Sequence, residues 1–367
     1  MGVAISKAGA ERATPLATAT LVLAANAPDV DVASYVGGPY FALAFRRGIT
    51  HGWPALVVLP LLVVFVMLAW DRSVRRRRDP DCDPARAGPL LALSAIGVLT
   101  HPTLDWMNTY GMRWGLPFDG AWSYGDALFI IDPWIWLALG GSIFLASGLS
   151  GRDLAAWAAL ALAATALVIT TLPSARILWL VGIASIVSLR LSRRPDAAAG
   201  RQALVRIAGV AVCVYVTALV VADGLARRDV VAEAARAGLV VRDVMIAPLL
   251  GNPFISEVEV LTANAYVPGT HAWLRSPRVE LRPGAAVPLL VAPTELSGPA
   301  MERVLLAARS EPSARHYLVW SRFPYARVEP DGDGWQVTFA DARYDGVREA
   351  GSLGSVSVRV PREPARD

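Results

Sequence analysis

The sequence predicts a mainly α-helical, multi-pass membrane protein with about seven transmembrane helices and a small C-terminal α+β, β-rich domain. Three observations predict this. Of 367 residues, 54% are hydrophobic and 18% charged, whereas a soluble domain carries about a quarter charged residues. Apolar runs long enough to span a bilayer recur between arginine-rich loops. Beyond about Asp223 the character changes, first to an amphipathic helical stretch and after it to alternation of apolar and polar residues.

A span needs about 20 apolar residues, within about 17 to 25. The expected spans are 14–34, 52–70, 89–106, 127–149, 154–172, 175–189 and 204–222, forming a membrane domain over 1–222. Lys7 and Arg12 precede the first, and "ANA" at 25–27 imitates a cleavage site. Pro28 follows it directly, so an uncleaved first helix is expected. The loop "DRSVRRRRDPDCDPAR" carries six arginines and "RLSRRPDAAAGRQALVR" five. Cytoplasmic loops are the basic ones, so both are placed inside, four crossings apart, with the N-terminus inside and the chain after the seventh span outside. The net charge of +4 lies beside apolar runs, so it reads as a topology signal and no nucleic-acid partner is expected. Membrane lipids are the expected surroundings. Cys82 and Cys213 form neither a CxxC motif nor a disulfide framework.

The stretch "ARRDVVAEAARAGLVVRDV" has helical spacing and predicts an amphipathic linker helix over 223–245. The domain 246–367 follows. Strands are expected in "EVEVLTANAYV", "RVELRPG", "YLVWSRFPYARVEPDGDGWQVTFADARYD" and "SVSVRV", a hairpin turn at "PDGDG", and a helix in "ELSGPAMERVLLAAR".

Under this topology four polar segments meet one membrane face. They carry Asp29 and Asp31, His51, His101 and Asp105, and Asp126. His101 and Asp105 are four apart and share a helix face, which Asn108 continues. Asp29 and Asp31 repel each other unless a positive group lies between them. Mixed imidazole and carboxylate donors suit a divalent metal, zinc first, with manganese or iron as alternatives. Intramembrane ionisable groups mark functional sites. Asp105 and Asp126 are also assigned to the catalytic step, and Arg46, Arg47 and Asn108 to substrate binding, the guanidinium fork matching phosphate geometry.

The order "APDVDV", "RRGITHG", "THPTLDWMNTYG", "WSYGDALFIIDP" resembles the inner-membrane metal-dependent hydrolases of the YdjM and YfhP type. The resemblance covers about residues 12–133, and "SRFPYARVEPDGDGWQVTFADARYD" is similar to the C-terminal domain of the YfhP-like branch. That family shows Asp-x-Asp, His-Arg-Gly-x-Thr-His-Ser, His-x3-Asp before Tyr-Gly, and Gly-Asp. The resemblance implies that Asp29 and Asp31, His51, His101 and Asp105, and Asp126 are ligands. It also implies a bacterial inner membrane location. Arg46 stands where the motif has its first histidine, and Gly52 where it has serine. The His-x3-Asp pair is also similar to that of zinc-dependent phospholipases C, which implies hydrolysis of an ester or phosphoester of a lipid or amphiphile. The alternative expectation is a non-enzymatic transporter or envelope scaffold with a structural metal or an ion relay.

Overall fold

The computed structural model describes residues 1–129, 131–148, 150–192, 198–344 and 354–362. Arg193 and Arg194 of the second basic loop, two residues of the expected fourth span (Ile130 and Leu149), and the stretch 345–353 lie outside the described residues. The helices are α1 (Gly2–Lys7), α2 (Ala17–Asn26), α3 (Pro39–Phe45), α4 (Trp53–Trp70), α5 (Ala87–Trp106), α6 (Pro133–Ala146), α7 (Gly151–Thr171), α8 (Arg176–Ser192) and α9 (Ala198–Arg236), with α10 (Gly298–Ser310) and α11 (Pro312–Trp320) in the C-terminal part.

Among the described residues four helices are long and apolar enough to cross a membrane: Trp53–Arg78, which prolongs α4 by a π turn, then Ala87–Trp106, Gly151–Thr171 and Gly200–Arg236. The chain is a membrane protein, but the expected count of about seven spans is corrected. The first expected span supplies only the ten-residue α2. From Ala27 to Gly37 the backbone tightens to a 3-10 helix, because Pro28 has no N–H with which to continue the α ladder. In the fourth, the described residues ahead of Pro133 form no helix. The fourteen-residue helix that follows is about 21 Å long, against a hydrocarbon core of about 30 Å. The sixth supplies α8, seventeen residues that begin at Arg176 and carry Arg190 in the last turn. The seventh span and the amphipathic stretch after it are one continuous helix, α9.

The described chain forms two compact units. The first comprises Met1–Val30, Arg47–Leu225 and Ala247–Ile255. In it α2, α4 and α5 share a core of Ala24, Val63, Val64, Met67, Leu90 and Val98. Small residues let α2 and α5 approach closely: a Cβ on Gly97 would lie 2.7 Å from Ala24 Cβ and 3.2 Å from the Leu21 carbonyl oxygen.

The second unit comprises Asp31–Arg46, Ala226–Ile246 and Ser256–Asp367. Its strands are β1 (Asp243–Leu249), β2 (Asn252–Leu261), β3 (Ala265–Ala272), β4 (Val279–Leu281), β5 (Val287–Pro288), β6 (Leu290–Val291), β7 (Pro324–Asp331), β8 (Gly334–Asp341) and β9 (Ser355–Pro361), the β1–β2 turn region belonging to the first unit. One sheet runs β1-β2-β3-β4 with β5 on β3, and the other β6-β7-β8-β9 with only the β6–β7 pair parallel. The C-terminal part is β-rich, as expected. The "PDGDG" turn closes the β7–β8 hairpin with Gly332 at φ 58°. "YLVW" was expected to be strand. It is the end of α11, where Ala314, Tyr317 and Trp320 recur at helical spacing as the buried face. The amphipathic end of α9 buries Ala226 and Val230 against Val244, Ile246, Val258 and Val260 of the first sheet.

Candidate metal centre

Three sequence segments bring ligand atoms together. Asp29 lies in the 3-10 stretch after α2. His51 sits in the turn before α4, where the His51 and Gly52 N–H groups both donate to the Gly48 carbonyl. His101 and Asp105 stand one turn apart on α5. Asp29, His51 and His101 each offer one atom, all within 4.8 Å of one another.

The turn that carries His51 is held from outside. Arg47 takes φ 56°, a conformation uncommon outside glycine. Its carbonyl accepts from the Arg113 N–H at 3.1 Å, and Trp53 N–H donates to the Trp114 carbonyl at 3.0 Å. A Cβ at position 52 would approach that carbonyl oxygen to 2.9 Å, so glycine is required there.

His101 Nδ1 lies 2.7 Å from the Ala25 carbonyl oxygen. A carbonyl only accepts, so Nδ1 is the donor in this contact and Nε2 is the ring atom turned into the cluster. This backbone contact is the kind that orients a ligating imidazole. Nε2 is buried with no hydrogen bond among the described residues, at 3.6 Å from Asp29 Oδ2 and 3.8 Å from Asp105 Oδ2. His51 Nε2 is 3.5 Å from Asp105 Oδ2. Donors bound to one tetrahedral zinc at 2.0–2.2 Å stand about 3.3–3.6 Å apart. The His101–Asp29 and His51–Asp105 separations match that spacing, the triad as a whole lies within 4.8 Å, and its donor types suit such an ion.

The remaining predicted residues divide. Asp105 stands beside the triad and takes an ion pair from Arg47 Nε at 3.0 Å. Arg47 also lies over the Tyr110 ring at 4.8 Å. Asp31 is buried and pairs with Arg46 Nε at 3.2 Å, both in the second unit. Burial works against the Arg46 charge, but the hydrogen bond and ion pair from Asp31 outweigh it and hold the guanidinium above its ordinary pKa. Asn108 is buried, its Oδ1 accepting from the Tyr110 N–H at 3.2 Å. Asp126 is buried at φ 50°. It lies on a segment whose Gly125 and Ala127 N–H groups donate to the Trp106 and Met107 carbonyls, at the end of the helix that carries Asp105. It is outside the converging triad. Thr50, Tyr110 and Arg113 escaped the sequence reading. Tyr110 stood inside the "THPTLDWMNTYG" stretch, whereas the contacts of Thr50 and Arg113 carry no spacing signal. Thr50 Oγ1 lies 2.9 Å from His51 Nδ1.

Fold and cluster together define a polytopic membrane protein with a histidine and carboxylate group at the ends of its helices. Residues 1–177 match the family described as YdjM inner membrane protein, and this match contains every residue of the cluster. No curated protein and no solved structure matches the chain.

Proposed function

We propose that the protein is a metal-dependent hydrolase of the inner membrane that acts on an ester or phosphoester of an amphiphile. The observation that carries this reading is the buried His101 Nε2, which faces Asp29 and Asp105 while Nδ1 is held by the Ala25 carbonyl. Asp29, His51 and His101 would hold the cation, with Asp105 as the fourth donor. When bound, a divalent cation of the zinc type supplies Lewis acidity and a nucleophile at neutral pH.

The chain's own residues do the rest. The Ala25 carbonyl orients the His101 ring. Arg47 orients Asp105 and offers a guanidinium to an anionic group of the substrate. Asp126 is the carboxylate we assign to proton transfer, its strained backbone being of the kind found at functional sites. An amphiphilic substrate is favoured because His101 also lines a cleft of about 270 Å³ whose walls include Val3, Val22, Ala25 and Leu104. Asp29, 44% exposed, opens the other side to water. In this reading the C-terminal unit lies outside the cytoplasm.

Metal analysis of the full-length protein in detergent, beside His101→Ala and Asp105→Ala, tests the site. One equivalent or more is expected in the wild type, with loss in His101→Ala. Equal content in all three, or none in any, overturns it. Hydrolysis of long-chain p-nitrophenyl esters and phosphodiesters tests the reaction. Activity removed by chelation and by His101→Ala is expected; a metal-loaded protein inert on both substrate classes overturns the hydrolase assignment.

A further inference from the structure

A second cleft, of about 540 Å³, lies elsewhere in the first unit and shares no residue with the metal centre. The end of α1, the end of α6, the start of α7 and the early part of α9 surround it, contributing Lys7, Ser147, Asp153, Trp157, Leu160 and Arg201. Its two cations differ in their partners. Lys7 Nζ is 2.9 Å from Glu11 and remains 39% exposed. Arg201 makes no ion pair among the described residues. The acid in the wall, Asp153, is committed elsewhere: its Oδ2 accepts from the Ser150 N–H at 3.0 Å and from the Ser150 hydroxyl at 2.8 Å, closing the capping box of α7.

Further basic side chains stand around these helix ends. Arg206 Nε donates to the Ala8 carbonyl at 2.7 Å, and Arg190 lies over the Phe144 ring at 5.7 Å. The floor is apolar and continuous with a lipid-facing surface. Leu160 is 59% exposed, and only 6% of the apolar window of α7 is buried inside the protein. Trp157, between the charged rim and this face, is the residue type that seats at a membrane interface.

A charged rim over an apolar floor that leads onto a bare membrane helix fits one occupant. We propose that this cleft binds an anionic phospholipid, its phosphate between Lys7 and Arg201 and one acyl chain along the Leu160 face of α7. A soluble phosphate would use the rim but leave the floor uncovered. The site is independent of the hydrolase reading, and either stands if the other fails.

Native mass spectrometry of the full-length protein in detergent tests it, with phosphatidylglycerol, phosphatidylcholine of the same chains, and sn-glycerol 3-phosphate as probes. The wild type is expected to retain phosphatidylglycerol over phosphatidylcholine. That preference should fall by about fivefold for each charge removed in Arg201→Gln and Lys7→Gln/Arg201→Gln, the effect of one basic side chain near an anionic membrane. Trp157→Ala should weaken both lipids alike. An unchanged preference in the double variant whose circular dichroism matches the wild type overturns the proposal. So does equal retention of both lipids by the wild type. Binding of sn-glycerol 3-phosphate as tight as that of the lipid overturns it in favour of a soluble anion. The single Arg201→Gln variant, at a partly exposed position, carries the test if the double variant fails to fold.

Discussion

Asp29 and Asp31 stand two residues apart in "APDVDV" and do different work. Asp29 Oδ2 reaches His101 Nε2 at 3.6 Å, whereas the Asp31 carboxylate is fully buried against Arg46. A carboxylate buried against a guanidinium has its counter-charge already, and it needs no metal to relieve the repulsion of a second acid. Asp29→Asn is therefore expected to lower metal content and leave thermal stability nearly unchanged in the metal-free protein. Asp31→Asn should leave metal content intact and cost about 1–3 kcal/mol of stability, the penalty for removing one partner of a buried charged hydrogen bond. Metal analysis and thermal denaturation of both variants decide this, and loss of metal from Asp31→Asn to the same degree as from Asp29→Asn would refute the division. The part of the cluster on α5 was legible because a helix places residues four apart on one face. The partner of Asp31 was not, since nothing in local spacing tells a residue fifteen positions away that it will close an ion pair. The same pairing accounts for Arg46 at the place where the motif has a histidine: a cation there answers the second acid.

At the scale of elements, the proposed metal centre rests on how closely α2 approaches α5. Gly97 is one turn before His101, and its missing side chain admits Ala24 and the Leu21 carbonyl. That approach carries Ala25 to His101 Nδ1, and so turns Nε2 toward the cluster. Gly97→Leu should force the helices apart, cost about 1–3 kcal/mol through overpacking, and weaken metal affinity about 10- to 100-fold, as loss of the contact that orients a ligand does. Gly88→Leu, in the same helix at a position with open space around the Cβ, is the control and should change neither. Titration with a competing chelator measures both, and equal affinities in the two variants would refute the dependence. The same crossing explains which elements the sequence showed. Apolar length alone revealed α4, α5, α7 and α9, because long apolar windows have few alternatives to a membrane span. It overcounted α2, α6 and α8, which are ten, fourteen and seventeen residues long; Leu21 on α2 and Leu139 on α6 are apolar because they are buried against protein, whereas α8 buries Trp179 and exposes most of its other apolar side chains. Burial against protein and burial against lipid select the same residue types, and only helix length and breaks at residues such as Pro28 separate them.

At the scale of the whole molecule, the two units are stabilised in different solvents. The first exposes apolar helix faces, as on α7, that only a bilayer or detergent satisfies. The second closes its own core around two sheets, and its charged keystone is Asp341. That carboxylate accepts from the Ser321 hydroxyl at 2.7 Å, the Arg322 N–H at 2.9 Å and the Arg343 N–H at 3.0 Å, and it meets the Arg343 guanidinium through both oxygens at 2.9 and 2.8 Å. Arg343 in turn lies over the rings of Trp320 and Tyr344. Ser321, Arg322, Asp341 and Arg343 of "SRFPYARVEPDGDGWQVTFADARYD" are thereby explained by structure: they tie the end of β8 to the chain after α11. Burial pushes the Asp341 carboxyl upward, but Arg343 and the hydrogen bonds outweigh it and hold it below the ordinary carboxylate range. A group depressed in the folded state stabilises above its unfolded value, about 3.9, and loses that contribution as pH falls through the folded value. The full-length protein in detergent should therefore keep its β-sheet circular dichroism down to about pH 4 and lose it below, in the window where this carboxylate is protonated. Asp341→Asn should remove that share of the acid dependence and lower stability at neutral pH by about 3–5 kcal/mol, the effect of leaving the buried Arg343 without its partner. A variant whose denaturation midpoint and acid profile match the wild type would show that the second unit is held by its apolar core alone.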